Sequence, residues 1–463
     1  MLSVFRRIMG LGKRSLDAAA GGRRWADDRR LPSATSLQAS AATVGARAAY
    51  FAANNPIGSR IVESLVSNII GTGIKPRSLV ETEVIRTRLH RRWRAWTDAA
   101  DADGAADLYG LQALLVRDMV VYGEGLAAFL AAPSGAPQLR RLHPEQLDRS
   151  ITRPAGDGGI IHMGIELDRS GRRVAYWIRQ SPPGDPFGFS VAPIRVPAAD
   201  VVHIFRPLVA GQLRGVSWLA PVLLPAKELD ALADAMLVRA KVAALFAGVV
   251  VDADGTGALP TDGAGDPSIA SLEPGAMINL PPGKSIEFPD MPDQGGAAHL
   301  LTATMRLIAA GAGVTAEQAS GDYSQINYSS ARAALIEFRK FIESVQHHVI
   351  AFQLLRPVWS RFIRWQVLQG GVSAATYSAD RSAVEAVDWL PPRWDQVDPL
   401  KDTQAAVLQI ENGLKSRSEF IAERGLDAED VDRAIAADAA RLARLSVALR
   451  PASNIIPVKE EQQ

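Results

Sequence analysis

The residue types that most often do chemistry are present in this chain, but not at the spacings chemistry needs. There is no cysteine, which removes thiolate metal sites, disulfides and Cys nucleophiles. Lys284 and Ser285 in PPGKS invite comparison with a phosphate loop, whose backbone donors wrap a phosphate ahead of a helix N-terminus. That loop needs a glycine five residues before Gly283, where this chain has Ile278, and the IEFP that follows reads as strand. A plain turn accounts for the segment. DADGTGALPTDG at 252–263 opens like a calcium loop, yet its twelfth residue is Gly263 instead of the bidentate Glu, and Pro260 holds the ninth place. DADGAAD at 101–107 fails in the same way. His347 and His348 are adjacent on a helical stretch, so an α-helix sends them to different faces and they cannot share a metal. There is no HExxH and no GxSxG elbow, and the Asp/Glu pairs carry no distinctive spacing. The residues therefore point to no catalytic centre, no cofactor site and no metal site.

The chain has 463 residues, 47% of them hydrophobic, enough for one large core or two or three smaller ones. Lys plus Arg number 51 and Asp plus Glu 50, a balance that argues against a protein that coats nucleic acid. It does not argue against DNA that passes by without being held. The most apolar run, LVRAKVAALFAGVVV, is interrupted by Arg239 and Lys241, so no membrane span is expected. The first twenty residues lack the unbroken apolar stretch of a secretory signal.

Residues 1–47 carry the basic pairs Arg6-Arg7, Lys13-Arg14, Arg23-Arg24 and Arg29-Arg30 among Ala, Ser and Gly, the composition of a loosely ordered arm or strap. From Ala48 to about Leu130 the spacing is helical. Ile57, Ile61, Val62, Leu65, Val66 and Ile69 recur at three and four, with Gly71 as a stop. VIRTRLHRRWRAWTD places Leu89, Trp93 and Trp96 on one stripe, which suits core packing, and LYGLQALLVRDMVVYG predicts a third helix. The period then changes. HMGIELDRSGRRVAYWIRQ predicts a hairpin with RSG at its turn and alternation through Val174, Tyr176 and Ile178, and Val201 to Phe205 predicts another strand. Residues 48 to 215 thus read as one mixed α+β body.

A strong helix follows at 226–248, then a Gly/Asp/Pro-rich loop, then MINLPPGKSIEF as short strands about a turn. A second helix is predicted from near His299 to near Ala319, followed by the polar tip GDYSQINYSS. From Ser330 to Gln369 one helical pattern runs for about 40 residues, on the order of 60 Å, with Pro357 set to kink it. Residues 398–447 read as small helices stopped by Gly413 and Gly425 and capped by Ser416 and Asp427, the latter with Asp430 three residues on. Leu237, Leu245, Phe246 and Ile308 would leave the two flanking helices too apolar for a lone monomer.

Taken in order, ARAAYFAANNPIGSRIVESLVSNIIGTGI, GIELDRSGRRVAYWI, RVPAADVVHIFRP with GQLRGVSWLAPVL, LEPGAMINLPPG, GDYSQINYSSARAAL and WDQVDPLKDTQA resemble the lambda-type portal family of tailed bacteriophages over most of the chain. The resemblance implies an α+β portal fold of wing, two-helix stem, clip, tunnel loop and helical crown, closed into a ring, commonly a dodecamer, by head-to-tail contacts. On this chain, beyond the 1–47 arm, it places the wing at 48–225, the stem at 226–247 and 299–320, and the clip at 248–298. The tunnel loop falls at 321–329, the long kinked helix and wing return at 330–397, the crown at 398–447 and a tail at 448–463. Two helices flanking a compact turn-rich insert fit that excursion independently.

The resemblance further implies a DNA-facing loop of Gly321, Asp322, Tyr323, Ser324, Gln325, Ile326, Asn327 and Tyr328, with Gly321 making the turn and Ser329 or Ser330 capping the next helix. The tip holds one acid, Asp322, and no base, which suits a low-adhesion collar, because each phosphate contact would retard sliding. Asp252, Asp254, Asp262, Lys284 and Glu287 fall in the clip that would dock the packaging motor and then the neck. The partners implied are further copies of the chain, passing double-stranded DNA, the terminase large subunit, the major capsid protein and neck or head-completion proteins, with no membrane. The place implied is a capsid vertex of the virion, reached from the host cytoplasm during assembly. The implied function is DNA packaging, retention and ejection, without catalysis. The alternatives are another ring-forming head–tail adaptor, usually shorter and without the stem–clip–stem excursion, and a prophage-encoded hydrolase, which needs a triad or metal cluster.

Overall fold

Asn55 divides the first two helices, α1 (Ala34–Asn54) and α2 (Pro56–Ile69). Its backbone is extended and its side-chain oxygen accepts from the N–H groups of Ile57 and Gly58, at 2.9 and 3.0 Å. Pro56 takes the first helical position, where a missing N–H breaks no helical bond. This computed structural model describes residues 34–185, 191–245, 249–252, 284–287, 295–324, 326–394 and 399–445. Helix α1 therefore begins inside the segment expected to be an arm, whose residues 1–33 lie outside the described residues, as does the whole tail at 448–463. The run 34–47 carries little apolar contrast because its buried face uses small residues such as Ala41 and Ala48.

After β1 (Lys75–Ser78), helix α3 (Glu83–Thr97) buries Leu89, Trp93 and Trp96, as their spacing predicts. Trp93 sits 5.0 Å from Trp96, 5.2 Å from Trp359 and 4.9 Å from Phe362 between ring centroids, so these tryptophans form core. Helix α4 (Leu108–Tyr122) is capped by Asp107 and ends at Gly123, whose φ of 94° only glycine adopts freely. A Cβ there would stand 2.3 Å from the backbone of Val216, so the turn also lets two chain segments touch. Asp101 of the failed calcium-like run accepts from the N–H groups of Asp103, Ala105 and Ala106, serving its own loop.

Eight strands follow in the first body. These are β2 (Glu124–Ala131), β3 (Pro137–Leu142), β4 (Arg153–Pro154), β5 (Ile160–His162), β6 (Ile165–Leu167), β7 (Arg173–Ile178), β8 (Ile194–Pro197) and β9 (Val201–Phe205). They make two antiparallel sheets, β3-β2-β9 and β4-β5-β6-β7-β8. The predicted hairpin is β6–β7, with Gly171 at φ 79° in its turn. Its alternation holds at Tyr176 and Ile178, both buried, and breaks at the register slip opposite Glu166 and Leu167, where Ala175 is buried and Val174 half-buried.

The next elements are α5 (Leu223–Leu245), β10 (Val249–Asp252), β11 (Lys284–Glu287) and α6 (Gly295–Ala312). Two more helices bracket the polar tip: α7 (Ala316–Ser320) and α8 (Tyr328–Val345). The chain stays helical to Leu368, but it widens to a π-helix over Gln346–Leu355 before resuming as α9 (Arg356–Leu368). Pro357 therefore lies in the first turn of a new α segment, where its missing N–H is tolerated, and the change of register stands where a sharp kink is predicted. On that wider turn His347 and His348 are both exposed and meet edge to face at 5.0 Å, unlike neighbours in an α-helix.

The chain returns through α10 (Ala374–Ala379), α11 (Arg381–Glu385) and β12 (Val387–Leu390), which pairs antiparallel with β1. It ends in α12 (Pro399–Glu411), α13 (Arg417–Ala422) and α14 (Ala428–Arg444). Gly413 and Gly425 both hold φ 69°, Ser416 caps α13, and Asp427 caps α14 by accepting from Glu429 rather than Asp430. One large core joins α1–α4 to α8, the π segment and α9, and a smaller one lies around Leu147, Ile165 and Tyr176. The mixed helix and sheet body is therefore completed by the long helix.

Candidate functional site

The polar tip is built by two caps. Helix α6 stops at Ala312, and Gly313 turns the chain with φ 76°. Thr315 then opens α7 with a reciprocal cap: its hydroxyl accepts from the Gln318 N–H at 3.2 Å, and the Gln318 side chain accepts from the Thr315 N–H at 2.9 Å. The single helix predicted through Ala319 is thus two helices with a break at Gly313. Gly321, at φ 76°, ends α7 as expected. Asn327 then caps α8, accepting from the Ser330 N–H at 2.8 Å. The capping role expected of Ser329 or Ser330 belongs to Asn327, and Tyr328 is the first helical residue instead of part of the loop. Asparagine on extended backbone places its acceptor over the first free donors.

Between these caps Asp322, Tyr323 and Ser324 are exposed, while Ile326 is half-buried. Gln325 lies outside the described residues. Asp322 folds on itself: its carboxylate accepts from the Ser324 N–H at 2.9 Å and its own N–H donates to the Ser320 hydroxyl at 3.1 Å. The Ser324 donors hold its carboxyl below the usual range, so it carries a full negative charge at neutral pH. Ile326 turns toward a cleft of about 660 Å³ under the loop, shared with Leu229 and Asp230 of α5 and Met305 and Arg306 of α6. The base is anchored from the first body, since Arg60 donates to the Gln318 carbonyl at 3.2 Å and Asn55 donates to both oxygens of Asp230 at 2.8 Å. The sequence signal for that anchor was the Asn55-Pro56 pair.

The α5–α6 pair runs antiparallel, because a Cβ on Gly311 near the end of α6 would stand 2.7 Å from Val222 at the start of α5. Near that base Ala226, Leu229, Ile308 and Ala309 are buried; further along, Leu237, Val238 and Leu300 are exposed. Ile308, expected to be exposed, is 0% accessible, and its neighbour Leu307 is 69% exposed. Phe246 lies outside the described residues. The pair carries the β10–β11 hairpin, in which Asp252 stands opposite Lys284 and Val249 opposite Glu287. MINL, the other strand predicted about that turn, lies outside the described residues; among those described, Lys284–Glu287 pairs with Val249–Asp252. Lys284 thus opens a strand, where a phosphate loop would open a helix. Asp254 and Asp262 lie outside the described residues.

One cluster of ionisable groups has the look of acid–base chemistry. Glu124 accepts from Arg214 at 2.9 and 3.2 Å and meets His203 Nε2 at 3.0 Å. Glu124 and Arg214 are 0% accessible and His203 is buried, so no substrate reaches them. Burial pushes the Glu124 carboxyl up, but Arg214 and His203 outweigh it and hold the group well below the carboxylate range. Burial pushes His203 down, and burial together with Arg214 brings Arg149 down to about 10. The cluster clamps the start of β2 to the 213–217 segment and to the Leu147 and Pro144 carbonyls, which accept from Arg214 at 2.8 Å. Among the described residues no group of three His, Asp or Glu side chains converges as a metal site. No described helix is long and apolar enough to cross a membrane.

The charge cluster is sealed from solvent, the loop is polar and exposed, and the helical pair is partly uncovered. The family model described as "Phage portal protein, lambda family" matches residues 21–346, and the chain belongs to that family. A probable portal protein of Halomonas phage phiHAP-1 is 26% identical over 424 residues, covering 88% of this chain and 81% of that protein. Portal protein B of Escherichia phage lambda is 27% identical over 332 residues, 64% of this chain and 60% of its own length. The portal protein of Escherichia phage N15 is 27% identical over 309 residues, 60% of this chain and 58% of its own length. The match therefore spans less than two thirds of the lambda and N15 proteins. Among solved structures, the neck of a native gene transfer agent particle computed with C12 symmetry has a TM-score of 0.46 at 17% identity, covering 81% of this chain and 91% of that one. An HK97 family phage portal protein from Corynebacterium diphtheriae has a TM-score of 0.29 at 12% identity, covering 63% and 84%. Family membership rests on the sequence match. The chain is a portal-type head–tail connector, a structural component of a virion.

Proposed function

We propose that copies of this chain close into a ring, a dodecamer, at one capsid vertex and conduct double-stranded DNA during packaging, retention and ejection. The observation that carries the ring is the α5–α6 pair, which leaves Leu237, Val238, Leu300 and Leu307 uncovered along its length. Exposed apolar side chains of this kind are costly in water and are covered by a repeat of the same chain in a head-to-tail ring. In this assignment 48–225 is the wing, 226–247 and 299–320 are the stem, and 248–298 is the clip that meets the terminase large subunit and then the neck proteins. The loop from Gly321 to Asn327 faces the channel, and α12–α14 form the crown. The wing's outer surface meets the major capsid protein. Purified full-length protein at micromolar concentration should show rings with a central hole by negative-stain microscopy, and a matching mass by light scattering. A monodisperse monomer without rings overturns the proposal.

A further inference from the structure

The last helix of the chain is held to the first body by charge rather than by packing. Arg86, His90 and Arg94 recur at every fourth position, so they share one face of α3. Opposite them stands the acidic start of α14. Arg86 makes a two-point contact with Glu429, at 2.5 and 3.1 Å, and Arg94 pairs with Asp430. His90 Nδ1 lies 3.8 Å from the carboxylate of Asp427, while its Nε2 accepts from the Ser78 N–H at 3.0 Å. Glu429 and Asp430 sit in the first turn of α14, where the helix dipole favours negative charge.

Apolar packing adds little to this seam. No residue of α14 is buried, although the helix is amphipathic and leaves Ile435 exposed. Beneath the ion pairs, between α3 and α14, an open cleft of about 470 Å³ is lined by Trp93, Tyr109, Leu426 and Val431, so the two helices are not close-packed along it. The Arg94 side chain is 69% accessible and Glu429 41%, so salt reaches both arginine pairs, although Arg86 itself is 18% accessible.

We propose that α14 is a releasable clasp: its acidic first turn grips Arg86 and Arg94, with His90 beside them, and lets go as ionic strength rises, baring the arginine face of α3 while the rest of the fold stays closed. Arg86, 18% accessible while the clasp is closed, is thereby uncovered and adds its charge to the already exposed Arg91 and Arg94.

Because the chain has no cysteine, Ala95→Cys and Ala437→Cys give a unique pair of label sites on α3 and α14, both exposed. Spin-labelled full-length chains diluted into unlabelled ones report the distance within one subunit. The short distance should give way to a broad, longer distribution between about 0.1 and 1 M NaCl, as the screening length falls from ~10 to ~3 Å. The far-ultraviolet circular dichroism of the folded chain should persist over the same range. Glu429→Gln with Asp430→Asn should open the clasp at lower salt. A distance that stays short throughout, or an opening point that the double substitution leaves unmoved, overturns the proposal. Loss of the helical circular dichroism together with the distance also overturns it, because the chain would then be unfolding as a whole.

Discussion

Asn55 donates from its side-chain nitrogen to both carboxylate oxygens of Asp230 at 2.8 Å while its oxygen caps α2, so one side chain ties the first body to α5. Removing it should cost more than a cap alone. Asn55→Ala is expected to lower stability by ~1–2 kcal/mol for the cap, with a further contribution from leaving Asp230 without its amide. Asp230→Ala alone should spare the cap and cost less. A double-mutant cycle in denaturant separates the two, and additive effects would mean that the tie carries no energy.

Glu124 is the keystone of the buried cluster. Glu124→Gln leaves Arg214 buried and unpaired, and should cost ~3–5 kcal/mol at pH 7. The pH dependence has a definite sign. The folded carboxyl ionises well below its ordinary 4.5, so the folded state binds fewer protons than the unfolded state. Its stabilisation is complete above that ordinary value and is lost as pH falls toward the folded one. Unfolding free energy measured from pH 6 to pH 3 should therefore fall less steeply in Glu124→Gln than in the parent. Equal slopes would remove Glu124 from the account.

What the sequence revealed and what it hid follow one physical rule. Helices α2, α3 and α4 announced themselves because each buries large apolar residues at helical spacing, and strand β9 because it is a short apolar run buried at every position. Helix α1 did not, because small alanines supply its contacts. The π segment was hidden because its local composition is ordinary helix, and only the register of its hydrogen bonds differs. Loop ends were half visible: Gly321 was read as a turn, but two serines drew attention away from Asn327. The strongest electrostatic contacts were out of reach. Glu124 and Arg214 stand 90 residues apart and Arg86 and Glu429 stand 343 apart, and nothing local in the chain couples them. The resemblance to portal proteins supplied the order of the parts, which periodicity alone did not.

Two neighbours on α6 separate folding from assembly. Ile308 is 0% accessible and Leu307 is 69% exposed. Ile308→Asp places an unpaired charge in the core and should abolish soluble, cooperatively folding protein. Leu307→Asp adds a charge to a face already in water, so the monomer should keep its circular dichroism and denaturation midpoint within ~0.5 kcal/mol. Assembly should fail, with the sedimentation profile moving from ring to monomer. Intact rings in Leu307→Asp would show that this face of the stem is not the subunit contact.

The loop prediction turns on Asp322. Its carboxylate is spent on the Ser324 N–H, and it is exposed, so it shapes the loop locally and contributes almost nothing to the core. Asp322→Lys should therefore leave ring formation intact. In a ring the substitution repeats in every subunit, turning a collar of negative charge into a collar of positive charge around the channel. Each lysine that meets phosphate releases counterions, and the resulting affinity falls steeply with salt. DNA should move more slowly through the variant at low salt and recover as salt rises, with Asp322→Asn in between. Ring assembly is scored by microscopy and DNA movement by packaging rate on the same particles, so a folding defect cannot pass for a channel defect. Wild-type packaging rates at low salt in Asp322→Lys would mean that this loop does not line the path of the DNA.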